Sequence, residues 1–177
     1  MPRFSSRLVD HSIGDPAAVG LVALAENDLE AMAQLLREGE VAQWWDDPPD
    51  IDELREYLTH DYVSAFCIVV ANQTVGFAQV YHANCDPFWQ SFGVPSETFG
   101  LDLAIGAAGA RNRGVGRAVV RLLIERLLAW PEVVRLQIDP DPDNARAVRA
   151  FGAAGFVARG VYPGYDGDTM LYMTIER

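Results

Sequence analysis

The sequence predicts one α/β (α+β) domain built on a mixed, mostly antiparallel sheet of about seven strands. Three observations lead there. Short apolar runs rich in β-branched residues alternate with segments whose apolar residues recur at helical spacing. Two of those runs, 64–71 and 74–81, flank Asn72-Gln73 and read as a hairpin. A glycine-rich stretch, Arg111-Asn112-Arg113-Gly114-Val115-Gly116, stands between a strand and a long amphipathic helix. At 177 residues the chain has the length of a single domain with a sizeable core.

Each element has its own signal. Residues 1–18 lack periodicity and read as an irregular tail, so the domain is placed at 19–177. Gly20–Leu24 is the first strand. Asn27 or Asp28 caps a helix in which Leu29, Met32, Ala33, Leu35 and Leu36 share a face, and Gly39 is expected to end it. Pro48-Pro49 stops any helix begun at Val41, and Asp50 or Asp52 starts a short one that runs to Leu58. After the hairpin, 83–98 has no period and reads as a long loop. Phe99–Ile105 is the fourth strand. A helix from Val115 carries Val119, Leu122, Leu123 and Leu127 on one face and stops at Pro131. Val133–Ile138 is the fifth strand, Asp143 caps a helix closed by Gly155, and 156–161 and 169–175 complete the sheet.

Composition narrows the function. The formal net charge is -11, from 25 acidic and 14 basic residues. Phosphate backbones require a basic face, so nucleic acid is not expected as a partner, whereas a cationic substrate is compatible. No apolar run is long enough to span a bilayer and the first residues do not form a signal peptide, so a cytoplasmic location and no membrane partner are expected. Cys67 lies in an apolar run and reads as a buried thiol, and His11, His60 and His82 are scattered, so no metal site is expected.

The glycine stretch carries the clearest chemistry. The first amides of a helix lack internal partners, glycines bring the backbone close, and the helix dipole favours an anion there. Arg111, Arg113 and Arg117 add positive charge to an acidic chain. No P-loop lysine follows Gly116, and the dinucleotide-binding glycine spacing is absent, so the loop suits a pyrophosphate of another kind.

Arg111-x-x-Gly114-x-Gly116 after the fourth strand resembles the coenzyme A signature of the GCN5-related N-acetyltransferases (GNAT). So does the later run from Asp139-Pro140 through Asn144 and Ala147 to Phe151-Gly152-Ala153-Ala154-Gly155-Phe156. The resemblance covers about 20–177. It implies helices on both sheet faces and a wedge between the fourth and fifth strands, with acetyl-CoA as co-substrate. In that wedge Leu103, Ala104 and Ile105 would meet pantetheine. Arg111, Asn112, Arg113, Gly114, Val115, Gly116 and Arg117 would hold the pyrophosphate, with Asn144 and Ala147 nearby. Asn144 reads equally as a helix-cap residue bonded to its own backbone.

Within the family, Val41–Trp45, Phe99–Asp102, Gln137–Ala147 and Asp166-Gly167 make the chain similar to the aminoglycoside 6′-N-acetyltransferases. An amine that is protonated at pH 7 must lose a proton before it attacks a thioester. The resemblance makes Asp102 the acceptor of that proton. Asp139, Asp166 and Asp86 are further carboxylates for a polyamine, and Trp45 and Trp89 would stack on sugar rings. The family commonly has a tyrosine, assigned as proton donor to the departing thiolate, where this chain has Phe151; Tyr165 is another possible donor. Siderophore-precursor or protein N-terminal acyltransfer is the alternative enzyme reading, and a coenzyme A-binding regulatory module is the alternative of another class. Either a monomer or a homodimer is compatible with the sequence.

Overall fold

A computed structural model describes residues 13–15, 17–45, 47–165 and 167–177. Its sheet has eight strands: β1 (Ile13–Asp15), β2 (Val19–Ala23), β3 (Val63–Val70), β4 (Gln73–His82), β5 (Thr98–Ile105), β6 (Arg135–Ile138), β7 (Val157–Pro163) and β8 (Thr169–Glu176). Their spatial order is β1-β2-β3-β4-β5-β6-β8-β7, and every pairing is antiparallel except β5–β6. The helices are α1 (Leu29–Leu36), α2 (Gly39–Ala42), α3 (Ile51–Tyr57), α4 (Pro87–Phe92), α5 (Val115–Leu128) and α6 (Ala145–Ala154).

The sheet is buried on both faces at its centre, so β3 reads as an unbroken apolar run rather than an alternating one. Phe66, Ile68, Val80 and Leu101 pack on α5 and α6. Ala65, Cys67, Val69, Phe77 and Ala104 face the other way, onto α1, α2 and α3. Cys67 is buried there, and desolvation pushes its thiol up to about 12. A third cluster, with Trp89, Tyr81, Met170 and Tyr172, fills the end of the sheet beneath α4.

Five local expectations change. Ile13–Asp15 is not tail: it pairs with Val19–Leu21 as an eighth strand, which its polar composition concealed. Residues 83–98 are not one loop, because Asp86 caps α4 by accepting from the Phe88 and Trp89 amides at 2.8 and 3.4 Å and Pro87 opens the helix. Gly39 does not close α1; Arg37 does, and Gly39 begins α2. Asn144, not Asp143, caps α6. The hairpin turn falls on Ala71-Asn72, both at positive φ (49° and 61°), one residue before its expected place. No helix among the described residues is long and apolar enough to cross a membrane.

Candidate active site

The site begins where two strands part. β5 and β6 pair only through Thr98–Gly100 and Arg135–Gln137. β4 continues to pair with β5 as far as Ile105, so Leu101–Ile105 keep their β4 partners while the β6 side opens. Parallel strands that separate in this way leave a row of backbone amides and carbonyls facing the gap. Leu103, Ala104 and Ile105 lie along it. Gly100 belongs to the same construction: a Cβ there would meet the Tyr81 ring at 2.0 Å, so glycine lets that ring lie across the strand.

At the far end of β5 the glycine loop turns into α5. Asn112 and Gly114 both have positive φ, 58° and 80°. Gly114 precedes the helix with no side-chain cap, which leaves the first-turn amides of Val115, Gly116 and Arg117 without internal partners. A Cβ on Gly114 would enter open space, and one on Gly116 would touch Leu103 at 3.6 Å. Asn112, Arg113, Gly114 and Arg117 are exposed around this cradle, while Val115 is buried in the core. The first turn therefore offers an anion free amides and two cations.

Arg111 is used differently from its expected role. Its Nε donates to the Ile105 carbonyl at 3.0 Å, a second nitrogen donates to the Gly106 carbonyl, and Nη1 pairs with Glu40 at 2.8 Å. It ties the strand end to the loop and to α2. Asn144 is likewise committed, since its Oδ1 accepts from the Ala147 amide at 3.1 Å. Ala147 is half-buried against the main core.

On the α1 side of the sheet, carboxylates gather. Asp102 is the cross-strand neighbour of Gln79, whose Nε2 donates to Asp102 Oδ2 at 2.7 Å. Burial pushes the Asp102 carboxyl up to about 6; the Gln79 amide opposes that shift, and the charge of Asp86 adds to it. Asp139 follows β6 directly. Burial raises it to about 8, with further contributions from Asp102, Asp168 and Asp86. Carboxylates packed this closely resist full ionisation until a cation joins them. Asp86 adds its charge to this group while capping α4, and that charge also reaches Tyr165. Asp166 lies outside the described residues.

Aromatic rings wall the cluster. Trp45 is half-buried over Phe77, with centroids 6.1 Å apart. Trp89 is no wall: it is fully buried, its ring edge-on to Phe88 and Phe92 at 4.9 and 5.5 Å. The large ring that reaches solvent there is Tyr165, 54 % exposed and stacked on Phe88 at 4.1 Å. Gln79, Asp168 and the Phe88–Tyr165 stack escaped sequence reasoning. Gln79 had one signal, an amide inside an apolar strand; Asp168 and Tyr165 sit in turn-like sequence that looks like any other. Phe151 is buried against Phe156 and offers no proton.

A splayed strand pair followed by a glycine loop at a helix start is one half of the comparison with known proteins. A family model described as an acetyltransferase (GNAT) domain matches residues 25–162. The chain belongs to the GNAT acetyltransferase family. It is 29% identical over 170 residues to an aminoglycoside N(6′)-acetyltransferase type 1 from Klebsiella pneumoniae, covering 90% of this chain and 84% of that protein. A kanamycin resistance protein from Rhizobium radiobacter is 38% identical over 78 residues, which is 44% of this chain and 71% of that one. Among solved structures, the aminoglycoside acetyltransferase AAC(6′)-Ib in complex with coenzyme A and kanamycin superposes with a TM-score of 0.80. That pair shares 29% identity over 90% of this chain and 95% of the other. A ribosomal L7/L12 α-N-protein acetyltransferase shares the fold at a TM-score of 0.73 but only 15% identity.

Proposed function

We propose that this GNAT enzyme transfers acetyl from acetyl-CoA to the 6′-amine of an aminoglycoside, a reaction that would confer resistance. The observation that carries this reading is the group Asp86, Asp102, Asp139 and Asp168 gathered beside the strand wedge. Several carboxylates whose ionisation is mutually unfavourable make a site for a ligand bearing several ammonium groups. A monoamine, or a peptide N-terminus, has one charge to offer them. Relatives at 29% identity over 90% of the chain are named as aminoglycoside N(6′)-acetyltransferases, which supports the same substrate class.

In this reading acetyl-CoA lies along the open side of β5, its pyrophosphate on the Val115, Gly116 and Arg117 amides with Arg113 and Arg117 alongside. The substrate ammonium docks at Asp102, which accepts its proton. The freed amine attacks the thioester carbonyl carbon, and an unpaired β5 amide stabilises the oxygen as charge develops. Collapse expels the coenzyme A thiolate. Phe151 cannot protonate it, so the thiolate takes its proton from solvent, which its low basicity allows. Asp139 and Asp168 hold further ammonium groups, and the Tyr165–Phe88 stack and Trp45 line the sugar faces.

The test is thiol release from acetyl-CoA across a panel of amines, followed by mass and NMR assignment of the product. Kanamycin- and tobramycin-like amines are expected to stimulate release and to carry the acetyl group at the 6′ position. Stimulation by a hydroxylated-lysine siderophore precursor or a peptide N-terminus, with none by aminoglycosides, would overturn the assignment. Coenzyme A binding with no turnover on any amine would favour a regulatory module.

A further inference from the structure

Gln79 is an unusual choice for its position. It lies in the middle of β4 between Ala78 and Val80, and it is buried. Its Oε1 is buried with no hydrogen-bond partner among the described residues. An orphaned buried acceptor destabilises a fold, and an apolar side chain of similar size would suit this strand better. What Gln79 provides is a single 2.7 Å bond to Asp102. The amide orientation follows from that bond, because a carboxylate only accepts and so must face the NH2 group.

Among the described residues, Asp139 has no such donor. No hydrogen bond to its carboxyl is present among the described residues, and its environment is desolvation plus the charges of Asp102, Asp168 and Asp86. The titratable groups facing Asp102 come from every surrounding element: Asp86 at the start of α4, Asp139 after β6, Tyr57 on α3, Tyr81 on β4 and Tyr165 before β8. All are acids, and among the described residues the hydrogen bond to the Asp102 carboxyl comes from Gln79. Two carboxyls that share one proton will place it on the member lacking a donor.

We propose that Gln79 is a positioning residue that assigns the base role to Asp102 and leaves the shared proton on Asp139. The inference rests on Asp102 as the group that receives the ammonium proton. In the free enzyme Asp102 is then the ionised carboxylate, ready to accept, while Asp139 remains a neutral acid. When a polyamine binds, its reacting ammonium passes a proton to Asp102, and a second ammonium displaces the proton of Asp139 into solvent. Binding alone therefore releases a proton, before any acetyl transfer.

The measurement is the pH profile of kcat/KM for Gln79→Met beside the unsubstituted enzyme, with a kanamycin-like amine as acceptor. Methionine keeps the volume and removes the donor. A hydrogen bond to a charged group is strong enough to move an ionisation by about one pH unit. The acid limb is expected to rise by about that much, so activity at pH 6 relative to pH 8 falls roughly fivefold, with acetyl-CoA affinity unchanged. Calorimetry of amine binding at pH 7, in buffers of differing ionisation enthalpy, is expected to show proton release that shrinks in the variant. A uniform loss of kcat with the acid limb unmoved would mean a packing role and overturn the proposal, as would superimposable profiles. Should Gln79→Met fail to fold, Gln79→Glu carries the test: a further carboxyl beside Asp102 must raise the limb, and an unmoved limb overturns the proposal. If the unsubstituted enzyme shows no amine-stimulated release, it is the substrate assignment that fails; an active enzyme with an unmoved limb sinks the role of Gln79 alone.

Discussion

The two sides of the β5–β6 wedge are built on different principles. The coenzyme side is made of backbone: strand amides exposed by a missing neighbour, and helix-start amides exposed by Gly114 and Gly116. Its residues are contiguous, and glycine is there because a side chain would be in the way. The acceptor side is made of side chains drawn from α3, β4, the start of α4, β5, the end of β6 and the start of β8. Such a residue can hold an ordinary local job as well, as Asp86 shows by capping α4. A backbone site is thus bound to its sequence, whereas a side-chain site is bound to the topology that assembles it.

The comparison breaks first at Asp102. Asp102→Asn keeps the shape and the Gln79 contact but removes the proton acceptor. General-base removal costs about a hundredfold or more in kcat, and acetyl-CoA affinity is expected to stay unchanged, since its proposed site is backbone on the other side. Steady-state kinetics with calorimetric binding of acetyl-CoA checks both halves. A rate within threefold of the unsubstituted enzyme would remove Asp102 from the mechanism.

The reciprocal change is Gly114→Val. At φ +80° a β-branched residue is strained by about 1–2 kcal/mol. The Cβ meets nothing within 4 Å, so the fold should survive. The strain relaxes by moving the helix start, and acetyl-CoA is expected to bind at least tenfold more weakly with the acceptor pocket intact. Unchanged acetyl-CoA affinity would mean that the pyrophosphate lies elsewhere.

These two changes show how much of the molecule was legible. The hairpin, α1, α5 and the glycine loop follow from patterns that repeat within a dozen residues, and the structure has them where those patterns lie. The wedge is legible only through the family resemblance, because nothing in β5 announces that β6 stops pairing at Gln137. Trp89 looked like an exposed wall because it sat in an aperiodic stretch; Pro87 and the Asp86 cap instead fold that stretch into a helix that turns the indole inward. Arg111 belongs to the glycine-loop motif, yet the strand end and Glu40 take up its guanidinium. Motifs fix backbone placement more firmly than they fix the partner of a long side chain.

A smaller effect tests the acceptor side alone. Asp139 holds its proton up to about 8, against about 4 for an unfolded aspartate. Between those values the native state binds the proton and the unfolded state does not, so this group's contribution to stability falls as pH rises from about 4 to 8. Asp139→Asn removes that slope. Its melting temperature is expected to exceed that of the unsubstituted protein at pH 8 and to match it at pH 4. The same variant should bind polyamines more weakly. A melting difference that does not vary with pH would deny Asp139 its raised ionisation.

The last effect falls on a residue claimed both by the fold and by the coenzyme side. Asn144 stands at the start of α6, where the family resemblance places the cofactor, but its Oδ1 accepts from the Ala147 amide at 3.1 Å. Removing an asparagine cap costs about 1 kcal/mol. If capping is its whole role, Asn144→Ala lowers the melting temperature by about 2–4 °C and leaves acetyl-CoA affinity alone. Asn144→Ser then separates the two roles, because serine restores the cap oxygen without the amide NH2 that could reach pantetheine. Recovery of stability together with full affinity makes Asn144 a folding residue beside the cofactor. Recovery of stability with affinity still reduced makes the NH2 group a ligand, and extends the coenzyme side from backbone to one side chain of α6.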